Sequence, residues 1–310
     1  MANSIFGAEK VIKQNINGSD LATYFVDFEL QDDGSYQYRW DALINLMQSA
    51  LVEFAYGLHE GSETPNEKII NKLVDSAKSI YKIKEYEETR QLYENGDDID
   101  DTDETKKYLK RGEFGELILH LLLRDFHKTI PLLSKIYFKD SYSHTVHGFD
   151  GVHIQPDSKS LWLGESKLYT DGKAGIKELI KDIKEHFKKD YLQDEFNIIS
   201  KKIKPYDNIP EKNNWLNLMD QKTKLQDVLN SVTIPLICTY SSTNFDSYST
   251  ELENNIKKEV EEMKNHFDSN NDHPLKTQLN IILLLFPVKC KKELVKRMHK
   301  KLYTLQSLND

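Results

Sequence analysis

The sequence has little cysteine and no long apolar run, and each absence excludes a class of protein. Cys238 and Cys290 are its 2 cysteines, too few for a disulfide framework, and they fit a reducing compartment. No stretch reaches the roughly 18 apolar residues that a membrane helix requires. The N-terminus has no basic segment leading into an apolar run, so we predict no secretory signal. We therefore expect a cytoplasmic protein without a membrane partner.

Several catalytic signatures are also absent. The sequence has no GxxxxGK[ST] phosphate-binding loop, so we do not expect this chain to hydrolyse ATP. No serine has the Gly-x-Ser-x-Gly setting of a hydrolase elbow, which argues against a serine nucleophile. Any ATP-driven motion would therefore belong to a partner protein.

The charge is acidic overall and unevenly distributed. The net charge of −8 argues against a protein that coats nucleic acid by itself, because such binding comes mainly from phosphate neutralisation. The run DDIDDTDE at 97–104 supplies much of the acidic excess, whereas KCKKELVKRMHKK at 289–301 is strongly basic. Local basic patches can still contact DNA, and we expect a partner to contribute affinity.

Hydrophobic periodicity divides the chain into two regions. Residues 1–104 are predicted to be mainly helical with a short hairpin and to end in the acidic run, which is too polar to pack and marks a linker. Residues 105–310 follow an order typical of an α/β fold with a mixed sheet flanked by helices, and they include a polar insertion near 192–230. The predicted strands are 24–30, 35–38, 133–139, 148–155, 160–169, 232–240 and 278–288. The predicted helices are 40–56, 66–93, 111–126, 174–191, 248–267 and 289–305.

The segment GFDGVHIQPDSKSLWLGESKLY at 148–169 predicts a β-hairpin with its turn at 156–159. If opposed positions sum to 315, Asp150 lies directly across from Glu165. Side chains alternate along a strand, so both carboxylates share a face with Lys167. That face is apolar near the turn and charged at its far end. Opposed like charges are unfavourable in a sheet, and a divalent cation would compensate them.

This set of residues suits phosphodiester hydrolysis. Carboxylates bind Mg²⁺ through oxygen ligands and leave coordination positions for water. The metal lowers the pKa of bound water and neutralises charge in the transition state. A neighbouring lysine can orient or deprotonate that water and bind the scissile phosphate.

The motifs resemble those of known nucleases. Asp150, followed across a hairpin by Glu165-Ser166-Lys167, resembles the D…(D/E)xK signature of the PD-(D/E)xK nuclease superfamily, and the preceding helix has the expected N-terminal glutamate. The sequence segments RGEFGELILHLLL, HGFDGVHI and LWLGESKLYTDG resemble those of the HamA family, the nuclease subunits of the bacterial Hachiman anti-phage defence system. This closer resemblance rests on residues 111–172 and the general layout.

The resemblance implies a DNA nuclease that uses Mg²⁺, with Mn²⁺ as a substitute, and works with an SF2-type helicase, HamB. The helicase restrains the nuclease until aberrant DNA appears. Asp150 and Glu165 become metal ligands and Lys167 becomes the catalytic lysine. Glu116 becomes the helix-borne carboxylate of the catalytic and metal-binding set, with Glu113, one turn earlier, left open as a substitute. One departure is Phe149, which stands where the superfamily's name has proline.

Each part of the predicted site also has a simpler structural interpretation. Asp150-Gly151 is a common turn signal. Glu165 and Lys167 could be a solvated pair on an edge strand. At the level of the whole protein, the fold could serve a non-catalytic module that senses DNA or scaffolds a helicase. A restriction-like endonuclease with sequence specificity is a further alternative.

Histidines and lysines near the predicted site have open roles. His144, His147 and His153 match no zinc-ligand spacing, which favours structural or phosphate-contacting roles, and alternation places His153 opposite the face of Asp150. Lysines recur on the helix that follows the E-x-K strand and could contact phosphates or form ordinary surface ion pairs with neighbouring acids. These lysines are Lys173, Lys177, Lys181, Lys184 and Lys188. The basic segment at 289–301 is most simply a solvated helix face.

Overall fold

A computed structural model describes residues 5–61, 68–80, 87–88, 90–91, 94–95, 112–133 and 148–309. The strands are β1 (Ile12–Asn17), β2 (Leu21–Val26), β3 (Phe28–Leu30), β4 (Tyr36–Tyr38), β5 (Ile130–Pro131), β6 (Gly151–Gln155), β7 (Ser160–Tyr169), β8 (Val232–Ser241) and β9 (Asn280–Val288). The α-helices are α1 (Trp40–Gly61), α2 (Ile69–Ile80), α3 (Glu113–Asp125), α4 (Gly172–His186), α5 (Lys189–Ile203), α6 (Lys212–Leu218), α7 (Leu225–Ser231), α8 (Leu252–Asn270) and α9 (Lys291–Gln306).

A mixed sheet organises the fold. Its 7 strands have the order β1-β2-β9-β8-β7-β6-β5, and β3 pairs with β4 in a separate hairpin. Strands β2, β9, β8 and β7 are parallel, whereas β1, β6 and β5 are added by antiparallel pairs. The central strand β8 is buried along almost its whole length, as expected for a parallel strand covered by helices. The predicted α/β class is confirmed, and the PD-(D/E)xK fold stays a prediction.

Helices α3 and α4 cover opposite faces of β7. Gly115 of α3 lies against Ser166, and Gly175 of α4 lies against Tyr169. Side chains alternate along a strand, so these two contacts are made on different faces of β7. Glu165 shares the face of Tyr169 and therefore points toward α4.

The first hundred residues contribute to the same sheet. β1 and β2 form an antiparallel pair, and β2 pairs in parallel with β9 near the C-terminus. α1 and α2 pack against each other and against α9. The predicted helix at 66–93 is present as α2 over part of its length, and most of its remainder lies outside the described residues. The acidic run at 97–104 and the predicted boundary after residue 104 also lie outside them.

A buried ion pair joins α1 to α3. Arg124 Nε donates to Glu53 Oε1 at 2.5 Å, and His120 Nε2 lies 3.2 Å from the same oxygen. Arg124 also donates to the carbonyl of Thr129. The pKa of Glu53 is affected first by burial, which raises it, but hydrogen bonds and charges of His120 and Arg124 bring it below the ordinary value of 4.5. The pair therefore stabilises an ionised carboxylate.

Element boundaries match the sequence prediction well around the hairpin and less well after it. β7 coincides with the predicted strand at 160–169. The predicted helix at 174–191 is instead two helices, α4 and α5, separated at Phe187 and Lys188. Residues 192–230 contain most of α5 together with α6 and α7, and Trp215 there is fully buried. On the side away from β7, β6 pairs with β5, whereas residues 134–139 of the predicted strand lie outside the described residues.

Candidate active site

The β6–β7 hairpin has the predicted register. Gly151 pairs with Gly164 and Val152 pairs with Leu163, so opposed positions sum to 315. Asp150 directly precedes β6, and the same register places it across from Glu165. The hairpin therefore brings the D and E-x-K parts of the predicted motif together.

A hydrogen bond from the backbone of β7 to the Asp150 carboxylate holds Asp150 beside the E-x-K strand. Its Oδ2 accepts from the backbone N–H of Ser166 at 2.9 Å. The bond joins the carboxylate to the residue between Glu165 and Lys167. Asp150 is therefore held at the motif itself, in addition to occupying a turn-like position before Gly151.

Close packing of α3 on β7 brings the helix-borne glutamate near the site. A Cβ at Gly115 would lie 2.5 Å from Ser166 Oγ, and a Cβ at Gly164 would lie 2.8 Å from Leu119 Cδ2. Glycine at both positions allows the first turn of α3 to approach the strand. Glu116 follows Gly115, and its charge is one of those that raise the pKa of Glu165.

Glu165 is almost inaccessible to solvent and is hydrogen-bonded to a histidine. It is 2% exposed, and its Oε1 lies 2.5 Å from Nδ1 of His186. Burial is the largest cause that raises its pKa well above the ordinary value, and the charges of Asp182, Glu116 and Glu195 add to the rise against the effect of Lys167. Several acidic groups therefore surround this carboxylate.

Lys167 forms an ion pair on the same side of the sheet. Its Nζ contacts Oδ2 of Asp182. Burial lowers the pKa of Lys167, but the hydrogen bond and charge of Asp182, followed by the charges of Asp150 and Glu165, raise it above its ordinary value. Lys167 is therefore a cation in the site.

The residues that contact Glu165 and Lys167 both belong to α4. Asp182 and His186 are four residues apart and so lie on one face of that helix. The helix is anchored at its N-terminal end, where Cβ atoms at Gly172 and Gly175 would come within 2.9 Å of the Tyr240 ring and 2.6 Å of Cys238 Sγ. Sequence reasoning missed both contacts and treated Asp182 as a partner of surface lysines. The available signal was an acid and a histidine at this spacing after the E-x-K strand.

An aromatic wall and a further acid adjoin the site. The ring of His186 stacks on that of Tyr191, with centroids 4.5 Å apart and planes 11° from parallel. The ring of Phe149 is nearly perpendicular to that of His186, with centroids 5.9 Å apart. Among the described residues, the buried atoms Tyr191 Oη and Glu195 Oε2 have no hydrogen-bond partner. Burial is the main cause that raises the pKa of Glu195 to about 7. Sequence reasoning missed Tyr191, which directly precedes the polar region at 192–230, and Glu195, which lies near the start of that region.

The donor types suit a hard cation, but the ligands are not assembled around one point. Asp150, Glu165 and Glu116 offer carboxylate oxygens, the ligands that Mg²⁺ prefers. The acidic surroundings that raise the pKa of Glu165 would favour a cation. Within the described part of the chain, however, no group of three or more His, Cys, Asp and Glu side chains is placed to hold a metal ion. In the described conformation, His186 uses Glu165 as a partner instead.

The simpler interpretation of the E-x-K pair is wrong. β7 is an interior strand of the sheet, although its described pairing with β6 ends at Gly164 and residues 165–169 pair with β8. Glu165 is also buried, with its carboxylate bonded to His186. A solvated surface pair does not describe these residues.

Among the three nearby histidines, His153 is described and has a structural position. It is buried, and its Nδ1 lies 2.8 Å from Thr129 Oγ1. Burial is the largest cause that lowers its pKa well below the ordinary value. His153 lies three residues after Asp150, so alternation along the strand places its side chain on the opposite face, as predicted. His144 and His147 lie outside the described residues.

The two basic segments have different surroundings. On α4, Lys181 is 3.6 Å from Glu178 and Lys184 contacts Asp272, as ordinary surface ion pairs. Lys173, Lys177, Lys181 and Lys188 are exposed. The segment at 289–301 lies largely in α9, whose apolar side is buried, so this helix has a packed face and a solvated face.

Comparison with known proteins identifies a family. In the part of the chain that the structure describes, no helix has the length and apolar character needed to cross a membrane. A search of curated proteins gives no match. The family model for HamA matches residues 4–302, which is nearly the whole chain. The chain therefore belongs to the HamA family.

Proposed function

We propose that this chain is a Mg²⁺-dependent DNA nuclease and the effector of an anti-phage defence complex. Membership of the HamA family indicates a component of the Hachiman system. The observation that carries the nuclease proposal is the hairpin register, which sets Asp150 across from Glu165 with Lys167 on the same face. Buried acids beside a cation are costly without a function or a compensating charge.

Each residue of the set has a proposed role. Asp150, Glu165 and Glu116 would hold Mg²⁺, and the electrostatic effect of Glu116 on Glu165 supports this choice of helix carboxylate over Glu113. When bound, the metal supplies an acidified water and charge neutralisation at the phosphate. Lys167, cationic in this setting, would orient the attacking water and contact the scissile phosphate.

DNA is the proposed substrate, and a helicase is the proposed partner. The exposed lysines of α4 follow directly after β7 and are available for phosphate contacts. The net charge of −8 makes strong DNA binding by the chain alone unfavourable. We propose that an SF2-type, HamB-like helicase supplies the remaining affinity and controls access to the DNA.

Plasmid degradation tests the nuclease proposal. The purified chain would be incubated with supercoiled plasmid, alone and with its helicase, in Mg²⁺ or in EDTA. We expect Mg²⁺-dependent cutting by the wild type and its loss in Asp150→Ala, Glu165→Ala and Lys167→Ala. Glu178→Gln, a charge change one turn before Asp182 on α4 at a residue that pairs with Lys181, is the matched control and should cut normally. Cutting that persists in all three alanine variants would contradict the site.

The second candidate function is a non-catalytic module that senses DNA or scaffolds a helicase. The observation that favours it is the engagement of Glu165 by His186 and Lys167 by Asp182, with no assembled ligand group among the described residues. The same plasmid assay separates the two functions. DNA binding without cutting, in every combination of helicase and Mg²⁺, would favour the sensing module.

A further inference from the structure

One helix engages both charged residues of the E-x-K motif. His186 of α4 shares a 2.5 Å hydrogen bond with Glu165, and Asp182 of the same helix forms an ion pair with Lys167. Glu165 and Lys167 are two residues apart on β7, so they point in the same direction. Asp182 and His186 are four apart on α4 and also share a face. The spacing of the strand pair therefore matches the spacing of the helix pair.

These contacts compete with the chemistry proposed for the site. A Lys167 ammonium ion that is paired with Asp182 must give up that partner, at least in part, to contact a phosphate. A Glu165 oxygen that is bonded to His186 Nδ1 has one lone pair fewer to offer a cation. The absence of a three-ligand group among the described residues agrees with this competition.

We propose that Asp182 and His186 form an intramolecular latch that holds Lys167 and Glu165 in a resting arrangement. The inference rests on the proposed function, because it takes Glu165 as a cation ligand and Lys167 as a phosphate contact. Productive binding exchanges the latch contacts for Mg²⁺ and a DNA phosphate. Regulation then acts by moving the C-terminal half of α4 relative to β7.

The position of the latch allows both contacts to be released together. The side chains of Lys167 and Asp182 are 23% and 15% exposed, so the pair lies near the surface although Asp182 Oδ2 itself is buried. α4 is anchored at its first turns by Gly172 and Gly175, whereas the latch lies at its opposite end. α4 ends at His186, and a displacement at this end would separate both pairs in one movement.

Neighbouring aromatic rings keep the latch histidine in place. His186 is stacked on Tyr191 and packs nearly perpendicular to the ring of Phe149. Phe149 directly precedes Asp150, so these contacts link the D part of the motif to the end of α4. Phenylalanine at position 186 would keep the ring contacts and lose the hydrogen bond, whereas asparagine would keep a polar atom near the position of Nδ1.

Calorimetric titration of the full-length chain with Mg²⁺ tests the histidine half of the latch. We expect His186→Phe to bind Mg²⁺ about tenfold more tightly than the wild type, because a competing hydrogen bond to the Glu165 carboxyl is removed. His186→Asn should stay close to the wild type. Adding Glu165→Gln should abolish the gain. These measurements need no cutting activity.

Duplex DNA binding in EDTA tests the aspartate half. Fluorescence anisotropy should show several-fold tighter binding for Asp182→Asn than for Glu178→Gln, which removes the same charge one turn earlier on α4. Equal binding by the two variants would mean that Asp182 exerts only a general electrostatic effect, and would overturn its part in the latch.

The outcomes separate failure of the latch from failure of the proposed function. Weaker or unchanged Mg²⁺ binding by His186→Phe, with binding still dependent on Glu165, would overturn the latch and make His186 a positioning residue while the nuclease site stands. No binding dependent on Glu165 in any variant would overturn the metal site and the latch with it.

Discussion

Asp150 and Ser166 are joined by a hydrogen bond from the Ser166 backbone N–H to Asp150 Oδ2, 2.9 Å long. Ser166 is the middle residue of the E-x-K motif, so this bond fixes the position of the first acid relative to the other two motif residues. The position of the Asp150 carboxylate therefore depends on the hairpin register, which sets Asp150 across from Glu165.

Replacing Asp150 by asparagine separates its structural role from its chemical role. Asp150→Asn keeps an oxygen that can accept the Ser166 N–H, so we expect thermal stability close to that of the wild type. The charge that would hold a cation is lost, and the rate of Mg²⁺-dependent cutting should fall by about a hundredfold or more. Thermal unfolding and plasmid cutting measure the two effects. Normal cutting by a folded variant would exclude Asp150 from the ligand set.

The contact between α3 and β7 predicts a strong effect at Gly115. A Cβ there would lie 2.5 Å from Ser166 Oγ, so Gly115→Ala should destabilise the fold by about 1–3 kcal/mol, the usual cost of overpacking. Gly112→Ala is the matched control, because among the described residues no atom beyond its chain neighbours lies within 4 Å of the added Cβ. Urea denaturation measures the difference. Equal stability of the two variants would contradict the close approach of α3.

The Glu53 ion pair predicts a stability change at acidic pH. The pKa of Glu53 lies below 4.5 in the folded protein, where burial is outweighed by His120 and Arg124. Its stabilising effect is therefore complete above the unfolded-state pKa and is lost as the pH falls through the lower folded-state pKa. Glu53→Gln leaves Arg124 without its charged partner and should cost about 3 kcal/mol at neutral pH.

Urea denaturation as a function of pH checks this prediction. The difference between the wild type and Glu53→Gln should shrink as the pH drops below 4.5, because the wild-type carboxylate becomes protonated. A difference that stays constant down to strongly acidic pH would mean that the charge of Glu53 contributes nothing, and that the substitution acts through packing alone.

The hairpin and its charged face could be predicted because their signals are local. The turn residues at 156–159 leave few registers, and in one register side-chain alternation places Val152 and Leu163 on the same face as Asp150 and Glu165. The same alternation gave the correct opposite face for His153. These features need only the sequence between 148 and 169.

The partners of the site residues could not be predicted in the same way. Asp182 and His186 meet β7 because α4 packs closely at Gly172 and Gly175, a tertiary contact that leaves no local pattern. The pairing of β2 with β9 joins opposite ends of the chain, again without a local signal. In the polar region after residue 191, the many charged residues obscured the helical spacing of the apolar residues that α5 buries.

The role of Glu165 in the proposed nuclease site is tested most directly by the rate at which the helicase-bound chain cuts supercoiled plasmid in Mg²⁺. The wild type is compared with Glu165→Gln. Glutamine has nearly the shape of glutamate and can still hydrogen-bond to His186, so the fold and the contact with α4 should persist. We predict that cutting falls by about a hundredfold or more when this carboxylate is neutralised. Cutting by Glu165→Gln at the wild-type rate would contradict this prediction.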